Sequence, residues 1–123
     1  MKTFTQSSDN NFPLINQLIL ILKLKDFDLN SVDFLRDKSL QIAKELNLTV
    51  VKESFHQFEP FGITYINILS QSHLILHTWP EHSLLHIDLV TCSESIDKKD
   101  IEDKIKKIFQ EKNIVYFDCK QIS

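Results

Sequence analysis

Apolar and polar positions change period several times along the chain, and each change marks an element. From Leu18 to Lys25 a short apolar run ends with Lys23 and Lys25 alternating with Leu22 and Leu24, the pattern of a half-buried strand. Asn30, followed three residues later by Asp33, opens a helix whose inner face is Leu35, Ser39, Ile42, Ala43 and Leu46. β-Branched and aromatic residues return over Thr49 to Phe58, and Glu59-Pro60-Phe61-Gly62 turns the chain into the next strand, Ile63 to Leu69. Ser70-Gln71-Ser72 interrupts the alternation before two more strands, His73 to Thr78 and Leu84 to Cys92, with a Trp79-Pro80-Glu81 corner between them. Ser95 or Asp97 caps a second helix with the stripe Ile101, Ile105, Ile108 and Phe109, ending near Asn113, and Ile114 to Lys120 forms a last strand.

The order βαββββαβ predicts an α/β fold of the α+β kind: a two-layer sandwich of a mostly antiparallel sheet with both helices on one face. With 123 residues and 42% hydrophobic content the chain has material for one core, so residues 15–123 read as a single domain behind a mobile tail, 1–14. A formal charge of -3, with no basic run interleaved with aromatics, makes nucleic acid an unexpected partner. The run Leu18 to Leu24 is far short of the ~20 residues of a membrane span, and the first thirteen residues lack the pattern of a signal peptide. The expected location is the cytoplasm, with no membrane partner. One glycine, Gly62, excludes glycine-rich phosphate loops and dinucleotide fingerprints, which need several. Cys92 and Cys119 make no disulfide framework, and Cys119 reads as structural. The pairs His73/His77 and His82/His86 lack the tighter paired spacing of metal sites, so no metal is expected.

The stretch with most chemical content runs from Leu69 to Glu81, with Thr91-Cys92 one strand later. A serine in a turn is ordinarily a turn residue, a histidine on a strand a packed one, and a free cysteine a small hydrophobe. Here the combination is more specific than its parts. Ser70-Gln71-Ser72-His73, an apolar triplet and then His77-Thr78-Trp79-Pro80-Glu81 resemble the signature of the prokaryotic S-adenosylmethionine decarboxylase proenzymes, and Phe55-His56 through Phe58, Pro60 and Gly62 resemble a second family motif. The likeness covers roughly Leu18 to Phe117.

The resemblance implies a proenzyme that cuts itself between Gln71 and Ser72 and converts Ser72 into a pyruvoyl cofactor. On the matching positions, His77 assists processing, Thr64 stands where the family usually has a serine that helps that histidine, and Cys92 is the general acid of turnover. Phe58 is the ring that stacks on adenine and Glu81 the carboxylate that holds the ribose hydroxyls. The substrate implied is S-adenosylmethionine, feeding spermidine synthesis, and the assembly implied is a homodimer of cleaved protomers with active sites near the interface. Gln71 replaces the family's acid, Tyr65 its small glycine beside Thr64, and Ser93 the glycine after the cysteine. The tyrosine is expected to narrow the space there. These departures leave two other readings open: a pyruvoyl enzyme of the same fold acting on ornithine or arginine, and an unprocessed paralogue that binds or regulates.

The residue types suit the chemistry independently of any family. An N-to-O acyl shift needs a hydroxyl directly after a strained peptide bond and a base to take its proton; elimination from the ester leaves a dehydroalanine that hydrolyses to pyruvoyl. Strict alternation puts Ser72 and His77 on opposite faces of one strand, a conflict that a turn or bulge at the cleavage point would remove.

Overall fold

A computed structural model describes residues 14–92, 97–110 and 114–122. Its elements are β1 (Ile15–Lys23), α1 (Val32–Glu45), β2 (Val50–Gln57), β3 (Ile63–Leu69), β4 (Ser72–Trp79), a single 3-10 turn (Pro80–His82), β5 (Leu84–Cys92), α2 (Lys98–Phe109) and β6 (Ile114–Ile122). The strands form one six-stranded sheet in the order β2-β3-β4-β5-β1-β6, and every neighbouring pair is antiparallel. The expected two-layer sandwich is thus present, with a wholly antiparallel sheet.

The period of two decides which side of the sheet is covered. Leu18, Leu20 and Leu22 on β1, Leu74 and Leu76 on β4, and Leu85, Ile87 and Leu89 on β5 are buried under Leu35 and Ile42 of α1 and Ile105 and Phe109 of α2. Burying each such side chain contributes roughly 1.5–3 kcal/mol. Lys38 joins the two helices: its Nζ donates to the Ile108 carbonyl at 3.0 Å and lies 5.6–5.7 Å from the ring centroids of Phe27, Phe34 and Phe109. Leu46 and Ile101, expected on the inner helical faces, lie at the margin and are half-buried. Among the described residues no helix covers the other side of the sheet. It presents a mixed face that includes Ile21, Ile66, Ile75, His77, His86 and Asp88, all half-buried.

Boundaries differ from the sequence reading where polar residues occupy structured positions. β1 begins at Ile15 rather than Leu18, because it is an inner strand with ladders to both β5 and β6. Asn16 accepts from Gln121 Nε2 at 2.9 Å, and Gln17 Nε2 donates to Asp88 at 3.3 Å, so these polar residues are satisfied within the sheet. Ser31, not Asn30, caps α1, accepting from the Phe34 amide at 3.1 Å. Asp97 caps α2, accepting from the Asp100 amide at 3.1 Å; the alternative, Ser95, lies outside the described residues, as do Asn113 and the tail up to Pro13. Among the described residues no helix is long and apolar enough to cross a membrane.

Candidate active site

β3 and β4 pair Leu69 directly with Ser72, so Ser70 and Gln71 form a two-residue turn. Gln71 takes a left-handed backbone with φ 67°, a conformation that costs a non-glycine residue roughly 1–2 kcal/mol. The Gln71–Ser72 peptide bond therefore follows directly on a strained residue. The register of β4 with β5 brings Cys92, the last residue of β5, level with this turn, and its exposed thiol donates to the Gln71 carbonyl oxygen at 3.4 Å. Ser72 is half-buried and its hydroxyl donates to the Ser70 carbonyl at 3.4 Å. Gln71, Ser72 and Cys92 thus meet at one end of the β3–β4–β5 unit. Cys92 also borders a cavity of about 440 Å³ on the helix side, lined by Leu18, Leu46, Leu89 and Asp100 among others.

A second cluster lies toward the opposite end of β4. Thr64 and His77 are register partners, and Thr64 Oγ1 is 2.9 Å from His77 Nδ1. Burial holds His77 below the ordinary imidazole value, the neighbouring His86 lowers it further, and Asp88 pulls it back up by less. Beside this pair, Phe58, Gly62, Thr64, His77, Trp79 and Glu81 are among the residues that line a cavity of about 560 Å³. Phe58 and Glu81 are both exposed side chains at its rim, where a ring face and a carboxylate can meet a ligand without prior desolvation.

The two clusters do not meet within one chain. Ser72 and His77 are five residue steps apart on the strand, about 16 Å at the rise of an extended chain. β4 keeps a continuous register with both neighbours from His73 to His77: the turn at the cleavage point ends at Gln71 and no bulge follows it, so the two side chains stay on opposite faces. Ser72 shares the parity of Leu74 and Leu76, which face the helices, whereas His77 belongs to the uncovered side.

Tyr65 also corrects the sequence reading. Its side chain points into the helix layer, 1% exposed, parallel to Phe55 at 6.1 Å, and its hydroxyl donates to Glu53. Burial, followed by the Glu53 carboxylate, pushes its pKa up to about 12, so it remains a protonated donor at neutral pH. It takes no space from the Thr64–His77 cavity, because adjacent strand residues face opposite sides. Ser93 lies outside the described residues.

The i,i+4 histidine pairs do not pair in space as a metal site would require. His73 Nε2 lies 3.3 Å from Asp88, and His77 stands opposite His86. Among the described residues no group of three or more His, Cys, Asp or Glu side chains is arranged to hold a metal.

The model of the family described as S-adenosylmethionine decarboxylase matches residues 19–121. The chain belongs to that family. An S-adenosylmethionine decarboxylase proenzyme of Acidithiobacillus ferrooxidans is 38% identical over 81 residues, which cover 66% of this chain and 61% of the relative. One from Thermotoga maritima is 36% identical over 86 residues, covering 70% and 66%. The matched stretch is thus less than two thirds of either relative's length. The crystal structure of the adenosylmethionine decarboxylase from Aquifex aeolicus VF5 superposes with a TM-score of 0.69 at 27% identity, covering 89% of each chain.

Two residues of this S-adenosylmethionine decarboxylase family member escaped the sequence reading. Asn30 Oδ1 accepts from the Gly62 amide and from Gln57 Nε2, both at 2.8 Å, which fixes the Phe58–Gly62 loop at the cavity rim. Gly62 itself sits at φ 109° with the Thr78 carbonyl 3.4 Å from where a Cβ would lie, so the one glycine has a local reason. Nothing in the sequence pairs Asn30 with Gly62. His86, by contrast, could have been found by folding β4 back onto β5 around the Pro80-Glu81-His82-Ser83 corner, which places it opposite His77.

Proposed function

We propose that this chain is a self-processing lyase that cuts its Gln71–Ser72 bond, converts Ser72 into a pyruvoyl group and decarboxylates S-adenosylmethionine, a cytoplasmic activity that feeds spermidine synthesis. The observation that carries the reading is the Cys92 thiol on the carbonyl oxygen of the strained residue before Ser72. Attack by Ser72 Oγ on the Gln71 carbonyl carbon puts negative charge on that oxygen, where the thiol already donates. The C–N bond breaks as the ester forms, the proton passes from the serine hydroxyl to a base, and the new amine remains on Ser72. Elimination then releases the Gln71 carboxylate; hydrolysis consumes one water and releases ammonia.

The pyruvoyl carbonyl supplies an electron sink for the pair left when carbon dioxide departs. The chain's own residues do the rest. Cys92, beside the Gln71–Ser72 bond, is the acid in this reading that protonates the carbon losing the carboxylate. Phe58 and Glu81 offer a stacking face and an acceptor for ribose hydroxyls, next to His77.

The Thr64–His77 pair lies at the other end of β4 from Ser72, which favours a site built from two copies. A second copy laid antiparallel over the uncovered sheet face would bring its Thr64–His77 end to the Ser72–Cys92 end of the first. That face carries Ile21, Ile66 and Ile75 together with exposed Ile68 and Trp79, an apolar surface suited to a homodimer. Processing by a partner histidine then requires the Ser70–Ser72 turn, at the end of the hairpin, to swing the Ser72 hydroxyl from the helix side toward the uncovered face.

The substrate test is carbon dioxide release from S-adenosylmethionine, ornithine and arginine, measured side by side on processed protein, with Glu81→Gln in parallel. Turnover of S-adenosylmethionine alone is expected, and Glu81→Gln should raise its KM roughly 10- to 100-fold, as for a lost charged hydrogen bond, while self-cleavage stays complete. Turnover of either amino acid with none of S-adenosylmethionine would overturn the substrate.

A further inference from the structure

His86 is opposite His77 on the adjacent strand, with ring centroids 5.4 Å apart and planes tilted by 44°. Trp79 meets the His86 ring edge-on at 6.3 Å and the His77 ring at 6.2 Å, so three rings form one cluster beside the cavity. His77 Nδ1 has its partner in Thr64. His86 Nδ1 is buried with none among the described residues. A buried imidazole nitrogen without a hydrogen bond is unfavourable, and isoleucine occupies the register position next to His86 on the other neighbouring strand, Ile21 on β1. Packing alone would be served better by an aliphatic side chain.

We propose that His86 is a positioning residue for the processing base: its ring holds the His77 imidazole between Thr64 and Trp79 and opposes a positive charge on it. This rests on the self-processing reading above. Two imidazolium charges at this spacing repel in a partly desolvated site, and both burial and His86 lower the His77 pKa. The charged form of His77 is therefore disfavoured relative to a lone exposed imidazole, with Nδ1 committed to Thr64. Other groups near the pair along the same sheet face are His56 on β2, Thr64 on β3, Asp88 on β5, Lys23 on β1, Tyr116 on β6 and Glu81 at the corner. Only Asp88 among the carboxylates acts on His77 appreciably, and it acts upward, so the downward influence is assigned to burial and to His86.

The test uses the full chain with His86→Phe, which keeps a ring against Trp79 without nitrogens, and His86→Gln, which is neutral and polar. Self-cleavage is followed against pH by intact mass, and the His77 ring proton is titrated by NMR in a Ser72→Ala background that cannot cleave. Both variants should move the His77 midpoint and the acid limb of cleavage to higher pH, with a several-fold loss of cleavage rate near about pH 6 and a smaller change on the alkaline plateau. Folding is checked by the dispersion of the same spectra. An unchanged His77 midpoint in folded His86→Gln, or a moved midpoint with an unmoved cleavage profile, would overturn the proposal. An uncleaved wild-type chain would instead overturn the self-processing reading, and the titration would still decide whether the two rings are coupled.

Discussion

Mixing two variants that are each inactive, Ser72→Ala and His77→Ala, should restore cleavage to the His77→Ala chain. Ser72→Ala lacks the attacking hydroxyl and stays whole under all conditions. His77→Ala keeps the hydroxyl but loses the base, and on its own should cleave ~10²–10⁴-fold more slowly. Ser72 and His77 lie about 16 Å apart along one unbulged strand, and in the proposed dimer the base that serves each serine comes from the partner. A mixed dimer then contains one complete pair, the Ser72 of the His77→Ala chain beside the His77 of the Ser72→Ala chain. With random exchange of equal amounts, about half of the His77→Ala chains occupy such dimers. Mass spectrometry distinguishes the two chains by their substitutions and reads which one is cut. Cleavage of the His77→Ala chain at the unassisted rate despite exchange would mean that each chain supplies its own base.

The second large effect concerns Cys92. In Cys92→Ala, decarboxylation should fall by ~10²–10⁴-fold, because an acid is needed to protonate the carbon after carbon dioxide has left. Self-cleavage should slow only a few-fold: the thiol is a weak donor, and at 3.4 Å it supports the Gln71 carbonyl oxygen without being the base. Cys92→Ser separates the two roles. A hydroxyl restores a donor to the carbonyl but is a poor acid near neutral pH, so this variant should process normally and still turn over poorly. Unchanged turnover in Cys92→Ala would return the thiol to a bystander at the end of β5.

Much of this arrangement was legible from residue patterns. Alternation predicted three strands over Ile63 to Leu69, His73 to Thr78 and Leu84 to Cys92, close to those observed, and the helical stripes beginning at Leu35 and Ile101 predicted both helices on one face of the sheet. The same alternation carried the direction of Tyr65, opposite in parity to Thr64, although its bulk suggested an obstructed pocket. The start of β1 was hidden because the polar Asn16 and Gln17 precede the apolar run; their hydrogen bonds come from β6 and β5, far away in sequence. Asn30 was hidden for the same reason, since its partners lie in a loop beyond β2. The motif around Ser72 suggested which residues act, but not that the Thr64–His77 pair and the Ser72–Cys92 pair lie at opposite ends of β4. That separation follows from strand rise once the register is known, and any pairing between copies depends on surface shape, for which a linear pattern has no signal.

The central claim is that the peptide bond before Ser72 breaks without another enzyme, and the intact mass of the purified chain tests it most directly. Denaturing mass spectrometry after incubation near neutral pH should find the 14.4 kDa chain replaced by a fragment ending at Gln71 and a second whose first residue is a blocked pyruvoyl group, with Ser72→Ala remaining a single species. A wild-type chain that stays at its full mass after prolonged incubation would contradict the account and favour an unprocessed binding or regulatory protein on the same fold.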